Sequence, residues 1–247
     1  MSGPRRLDVA VTPAALVPEH LPGATVLVID VLRASTSITT ALAHGCRAIV
    51  PVASPEEARR RAADYPAGEA LVAGERQGEA IPGFDLGNSP RDFSAARVGD
   101  KTVVFTTSNG TGALLAARSA AAVGVAALVN LSAAAAWAVA EGRDVLVVCA
   151  GSRGARALED EVCAGLLVAR VASAVPGAEL TPAADAVATA ARAYDGRVSA
   201  LAADAPWARR LIGAGHAEDV EMCLVLDTFT LVPAYLTNVD KVVRGPR

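Results

Sequence analysis

Residues 25–40 read Thr-Val-Leu-Val-Ile-Asp-Val-Leu-Arg-Ala-Ser-Thr-Ser-Ile-Thr-Thr, or TVLVIDVLRASTSITT. The run Val26-Leu27-Val28-Ile29 has no polar alternation, which predicts a strand covered on both faces inside a parallel sheet. It ends on Asp30, and a helix-compatible segment runs from about Ser35 to His44. Arg33, Ser35, Thr36 and Ser37 therefore fall where a strand hands over to a helix. In open α/β sheets that junction collects ligands, because free N–H groups and the positive end of the helix dipole point outward there. A carboxylate, a guanidinium and several hydroxyls suit a metal ion beside an anionic oxygen ligand. Helix capping by Asp30 and Ser35 is the competing reading, and it leaves Arg33 unexplained.

The 247 residues suffice for one large domain or two small ones. They are 52% hydrophobic but only 4% aromatic. Much of the apolar content is Ala and Val, which predicts Ala-rich helices packed on a Val-rich sheet and argues against a β-sandwich. Net charge is −3 with acids and bases mixed, and no basic tract points to a nucleic-acid partner. No apolar run approaches the roughly 18 residues a membrane span requires. The opening MSGPRRLDVAVTP lacks the continuous apolar stretch of a signal peptide. Cys46, Cys149, Cys163 and Cys223 have the spacing of neither a zinc site nor a disulfide framework. Buried structural thiols in a reducing cytoplasm are expected.

Outward from the central stretch, strands are expected at Leu7–Val11, Ala48–Val52, Leu71–Gly74, Lys101–Phe105, Ala126–Asn130, Asp144–Cys149 and Leu231–Tyr235. Ser54-Pro55-Glu56-Glu57 is a helix start with Ser as N-cap and Pro at the first helical position. Further helices are expected at Ala113–Ala121, from Ser132 as cap to about Glu141, over Leu158–Ala174, within 181–215, and from His216 to about Leu226. Residues 77–98 form the longest irregular stretch; such a loop in a compact domain is functional or disordered, and Phe84, Leu86 and Phe93, which can anchor it, argue against disorder. Lys241–Arg247 is expected to fray. Strands alternating with helices predict a three-layer α/β/α fold with a mostly parallel or mixed sheet. Residues 25–55 and 102–132 echo each other. That echo reflects either two related α/β halves, about 1–98 and 99–240, sharing a cleft within one 1–247 unit, or the regularity of βα units. The Ala-rich helices can pack within a subunit or between two, as in a homodimer.

Four polar clusters follow strands: Asp30 to Ser37, Glu75 to Asn88, Thr106 to Thr111, and Gly151 to Asp160. In a mostly parallel sheet such turns share one edge and can converge. Thr107, Ser108, Asn109, Gly110 and Thr111 suit phosphate or sulfonate oxygens. Gly151, Ser152, Arg153 and Gly154 add flexible backbone and a bidentate cation. Neither turn is a Walker A loop, and neither fits G-x-G-x-x-G, which leaves a nucleotide-binding oxidoreductase without its fingerprint. Asp30, Glu75, Asp85, Glu159 and Asp160 follow strands or sit in the long loop, where they can supply hard oxygen ligands for Mg²⁺. Glu56, Glu57, Glu141 and Glu218 have the positions of solvated helix charges. No G-x-S-x-G elbow is present, and the three histidines are scattered, which argues against a histidine zinc site; His44 suits a helix end, and a site role for His216, which precedes Glu218-Asp219, is the less favoured reading.

With these residues in place, the chain resembles the 2-phosphosulfolactate phosphatase family from about Asp8 to Tyr235. The resemblance rests on Asp30-Val31-Leu32-Arg33-Ala34-Ser35-Thr36-Ser37-Ile38, Gly74-Glu75-Arg76 with Gly78, Gly83-Phe84-Asp85-Leu86-Gly87-Asn88-Ser89-Pro90, Thr106-Thr107-Ser108-Asn109-Gly110-Thr111, and Ala150-Gly151 through Glu159-Asp160. Ser35, Ser37 and Ser108 stand where threonine is more usual and keep the hydroxyl. The resemblance implies a Mg²⁺-dependent hydrolase converting (2R)-2-phospho-3-sulfolactate, a small anionic phosphorylated substrate, to 3-sulfolactate and phosphate, a step toward coenzyme M. Under that activity some of Asp30, Glu75, Asp85, Glu159 and Asp160 hold the metal. Arg33, Arg76, Arg153 and the hydroxyl turns then meet the phosphate, sulfonate and carboxylate. A covalent route would make Asp30 the nucleophile, although Leu32 replaces the second acid of a D-x-D motif. A binding protein for small phosphorylated or sulfonated acids, without turnover, is the rival from another class.

Overall fold

In the computed structural model of the chain, residues 6–245 are described; the expectations for Met1–Arg5 and for Pro246–Arg247 lie outside them. Eleven strands form one mixed sheet. In chain order they are β1 (Arg6–Ala10), β2 (Thr25–Ile29), β3 (Ala48–Pro51), β4 (Ala70–Arg76), β5 (Glu79–Ala80), β6 (Thr102–Thr106), β7 (Ala122–Ala126), β8 (Val145–Cys149), β9 (Glu179–Leu180), β10 (Pro233–Leu236) and β11 (Lys241–Arg244). The helices are α1 (Ala34–Ala43), α2 (Pro55–Ala62), α3 (Ala95–Val98), α4 (Gly110–Ala116), α5 (Leu131–Glu141), α6 (Leu158–Ala174), α7 (Pro182–Ala191), α8 (Leu201–Asp204), α9 (Pro206–Gly213) and α10 (Ala217–Cys223).

The strands lie in the order β5-β4-β6-β3-β11-β10-β7-β2-β8-β1-β9. Strands β4, β6 and β3 run parallel, as do β7, β2, β8, β1 and β9. Strands of residues 1–98 and 99–240 are interleaved, with β6 between β4 and β3, and β8 between β2 and β1. The hairpin β10–β11 joins the two parallel blocks by antiparallel pairing, Ala234 opposite Gly124 on β7 and Val242 opposite Ile49 on β3. The sheet's twist, roughly 20–25° per strand pair, turns the blocks against each other across that hairpin.

Strand β2 shows why an unbroken apolar run suits this position. All five of its residues are buried. Leu27 and Ile29 enter a core with α5, α6, α7 and α9, whereas Val26 and Val28 enter another with α1 and α4. Alternate side chains of one strand thus fill both helix layers, each Leu or Ile contributing about 1.5–3 kcal/mol. Ser54 caps α2 by accepting the Glu57 amide at 3.1 Å, as its sequence predicts.

Several boundaries differ from expectation. The strand expected at Ala126–Asn130 is β7 at Ala122–Ala126, and α4 starts at Gly110 and stops at Ala116. Ala-rich sequence offers no polar mark between that helix and that strand. Asn130, rather than Ser132, stands at the start of α5; its side chain bonds the Ala127 amide and the Val125 and Leu231 carbonyls, pinning β7 to the approach of β10. The segment expected to fray contains β11, whose Val242 is fully buried. The long 77–98 loop carries β5, a 3-10 turn at Pro90–Asp92 and α3. All four cysteines are buried and unpaired.

Candidate active site

The four turns that follow β2, β4, β6 and β8 meet. Asp30 is the first residue beyond β2, and the adjoining start of α1 donates the Ala34 amide to its Oδ1 at 3.3 Å. Gly110, opening α4, lies against it: a Cβ there would stand 2.7 Å from Asp30 Oδ2 and 2.7 Å from the Ala34 Cβ. Only glycine permits that approach. Glu75, near the end of β4, receives the Ser108 amide at Oε1 and the Gly78 amide at Oε2, each at 2.7 Å, and the Ser108 hydroxyl at 3.2 Å. Asn109 accepts the Arg153 amide at 3.2 Å, which ties the β6 turn to the β8 turn. Asp160 closes the ring by accepting the Val31 amide at 2.8 Å and the Gly151 amide at 3.0 Å. Gly151 turns here with φ of 66°, and a Cβ would stand 2.3 Å from the Ala155 carbonyl oxygen.

Asp30, Glu75, Glu159 and Asp160 are all buried. Burial first, and then the charges of Glu75 and Glu159, push the Asp30 carboxyl up to about 7 against the Ala34 amide and Arg33. Asp160 is raised well above the usual range by burial and then by Asp30 and Glu159. Glu159 is raised chiefly by burial, and its Oε2 is buried with no hydrogen-bond partner. Excess negative charge and an unmet oxygen are what a divalent cation relieves. Among the described residues no three His, Cys, Asp or Glu side chains are gathered as a ready-made cage. Mg²⁺ needs only one or two carboxylates, with waters and substrate oxygens completing its shell, so the donor set fits it.

Other expected site residues are placed differently. Asp85 is exposed, and its Oδ2 receives the Val72 amide at 2.8 Å near the start of β4; it stays outside the acid cluster because the loop folds back along that strand. Arg33 is buried and both its terminal nitrogens are committed, Nη1 to Asp219 and Nη2 to the Gly78 carbonyl, each at 2.6 Å. It is an internal strut rather than a free cation. The hydroxyls of Ser35, Thr36 and Ser37 turn inward. Ser35 accepts the Asp30 amide, Thr36 donates to the Val31 carbonyl and Ser37 to the Asn88 carbonyl. Thr107 and Thr111 satisfy each other, Thr111 Oγ1 accepting the Thr107 amide and Thr107 Oγ1 accepting the Thr111 amide. Arg76 bonds its own neighbour's carbonyl, the Ala53 carbonyl and the Thr106 hydroxyl. Ser152 and Arg153 face a cleft of about 270 Å³ that also reaches Glu159, Trp207 and Arg210. Gly154 is exposed on the same turn.

Asp219 escaped the sequence reading. It is buried, accepts Arg33 at 2.6 Å and the Ser89 hydroxyl at 2.5 Å, and stands 3.5 Å from His216 Nδ1. Its position in the first turn of a short helix is that of an ordinary solvated acid, and its partner lies 186 residues away. No local signal distinguishes it.

Fold and site together define a mixed-sheet α/β protein that gathers buried carboxylates from three strand ends beside an arginine-walled cleft. The chain belongs to the 2-phosphosulpholactate phosphatase family, whose model matches residues 10–238. It is 38% identical over 217 residues to a probable 2-phosphosulfolactate phosphatase of Symbiobacterium thermophilum, covering 88% of this chain and 93% of that one. A protein so described in Gloeobacter violaceus is 39% identical, with 88% and 90% covered. Another, in Clostridium acetobutylicum, is 34% identical, with 93% and 97% covered.

Proposed function

We propose that this protein is a Mg²⁺-dependent phosphomonoester hydrolase that converts (2R)-2-phospho-3-sulfolactate to 3-sulfolactate and phosphate. Family membership supports the reaction class and the substrate. The observation that carries the chemistry is the crowding of Asp30, Glu75, Glu159 and Asp160, with Glu159 Oε2 left unmet. One or two of Asp30, Glu159 and Asp160 would hold the ion, with the remaining acids and Glu75 beside it. Bound there, it would supply charge neutralisation for the phosphoryl oxygens.

The chain's own groups then have separate tasks. The Ala34 amide orients the Asp30 carboxyl through Oδ1 and leaves Oδ2 on the Gly110 side. The Val31 and Gly151 amides fix Asp160, and the Gly78 and Ser108 amides fix Glu75. Without an ion the Asp30 carboxyl is pushed up to about 7 by burial and its acidic neighbours, so a bound cation and a proton would compete for it. Arg153, exposed on its turn, would meet substrate oxygens that Arg33 is not free to meet. A cytoplasmic setting is supported by four unpaired buried thiols. Among the described residues no helix is long and apolar enough to cross a membrane. In an organism that makes coenzyme M, the reaction would belong to that route.

The test is phosphate release from the phospho-sulfonate with Mg²⁺ and with EDTA. Turnover that needs Mg²⁺ and returns on its re-addition is expected. Full activity in EDTA overturns the metal, and no release under any condition overturns the enzyme.

A further inference from the structure

The cleft between the 152–157 turn and the start of α9 touches the acid cluster only through Glu159, and most of its wall lies outside that cluster. Arg153, Arg156 and Arg210 stand on that wall. Arg156 is neutralised by Glu161, with Nε and Nη2 each 2.6 Å from a carboxylate oxygen. The guanidinium groups of Arg153 and Arg210 make no ion pair with any carboxylate among the described residues. Arg210 lies over the Trp207 ring at 5.6 Å, and Trp207 Nε1 donates to the Leu32 carbonyl at 3.0 Å. The indole is therefore a platform bolted to the turn that carries Asp30, and it carries one cation over its ring at the mouth of the cleft.

We infer that this cleft seats the non-reacting acidic group of the substrate, with Arg210 and Arg153 reading it and Trp207 positioning Arg210. The inference rests on the phosphatase reading of the neighbouring carboxylates. The ligand class is a small phosphomonoester bearing a sulfonate or carboxylate a few bonds from the phosphate. The planar, multiply donating guanidinium matches such oxyanions. A volume of about 270 Å³ admits the head of a small acid and falls below the size of drug-sized ligand pockets. An alkyl phosphate without the second acid would leave both cations unmet.

The experiment has two readouts. One is the ratio of kcat/KM for the phospho-sulfonate to that for the same ester with hydrogen in place of the sulfonate. The other is calorimetric binding of 3-sulfolactate, which has no phosphate to hydrolyse. In Arg210→Ala the kcat/KM ratio should fall roughly 10- to 100-fold, mainly through KM, and 3-sulfolactate should bind weaker by a similar factor. Arg210→Lys should fall between. Arg209→Ala, next along α9 but bonded to the Ala203 and Asp204 carbonyls, should keep both readouts. Turnover with ratio and binding unchanged in Arg210→Ala overturns the cleft assignment and leaves the phosphatase standing. Absence of turnover with binding still weakened in Arg210→Ala overturns the phosphatase and leaves the cleft standing. Failure of the wild-type protein to bind 3-sulfolactate overturns the cleft.

Discussion

The two sides of the Asp30–Arg33 turn are built on opposite electrostatic terms. On one side Arg33, Asp219, Ser89 and the Gly78 carbonyl form a closed set in which every charge has a partner within 2.6 Å. On the other, Asp30, Glu159 and Asp160 face one another with amide donors but no cation of their own, and their protons are held more tightly for it. Both sides are buried. A compensated pair fixes geometry and wants nothing further, whereas an uncompensated cluster is held together by the fold around it and is completed by a ligand.

The sharpest break of this contrast is Asp30→Asn. Activity should drop by about 10³-fold or more, as for loss of a preorganised electrostatic group. Thermal unfolding in EDTA should at the same time rise by a few degrees, because one repelling charge is gone. A variant that stays active, or that unfolds earlier in EDTA, would show that the cluster is not under strain. Asp219→Asn should behave in the opposite way. It weakens the one ion pair of a buried guanidinium, a loss of about 3–5 kcal/mol if the pair is fully broken, which corresponds to a melting temperature lower by on the order of 10 °C. Melting within 2 °C or so of wild type would remove the strut.

The pH dependence separates the two sides again. The native Asp30 carboxyl keeps its proton up to about 7, whereas an unfolded chain releases it near the usual carboxylate value. The folded state therefore binds more protons between those limits, and its stability falls as pH rises from about 4 through 7. In EDTA the protein should melt a few degrees lower at pH 8 than at pH 5, and Mg²⁺ should narrow the gap by competing with the proton. Equal melting at both pH values would contradict it. The smallest effect is expected at Asp85→Asn. The amide oxygen can still accept the Val72 N–H, and phosphate release should change less than about twofold, since that side chain stands away from the cluster. A loss comparable to Asp30→Asn would put Asp85 back among the metal ligands.

Much of this was legible where local chemistry and tertiary context agree. An apolar run without alternation gave β2, and Ser-Pro-Glu-Glu gave the start of α2. Polar turns after strands marked the convergence of Asp30, Glu75 and Asp160. What the residues could not show was orientation. Ser35, Thr36 and Ser37 look like ligand donors in sequence, but the first turns of α1 bury them and the nearest acceptors are backbone. Strand β11 was hidden because Lys241 and Arg244 flank only two valines; the chain forms a strand there because β10 and β3 offer unpaired edges. The Arg33–Asp219 pair joins segments whose proximity no spacing rule encodes.

The hairpin β10–β11 occupies the middle of the sheet although, among the described residues, it is synthesised after every other strand. As the polypeptide leaves the ribosome, β7 and β3 must wait, each with an open edge, until residues 233–244 emerge. Bare edges of that kind are templates for pairing with a neighbouring chain. Premature termination before residue 233 would thus leave two unfinished half-sheets and a sticky nascent product, so the closing piece of the architecture is also the natural checkpoint for its biogenesis.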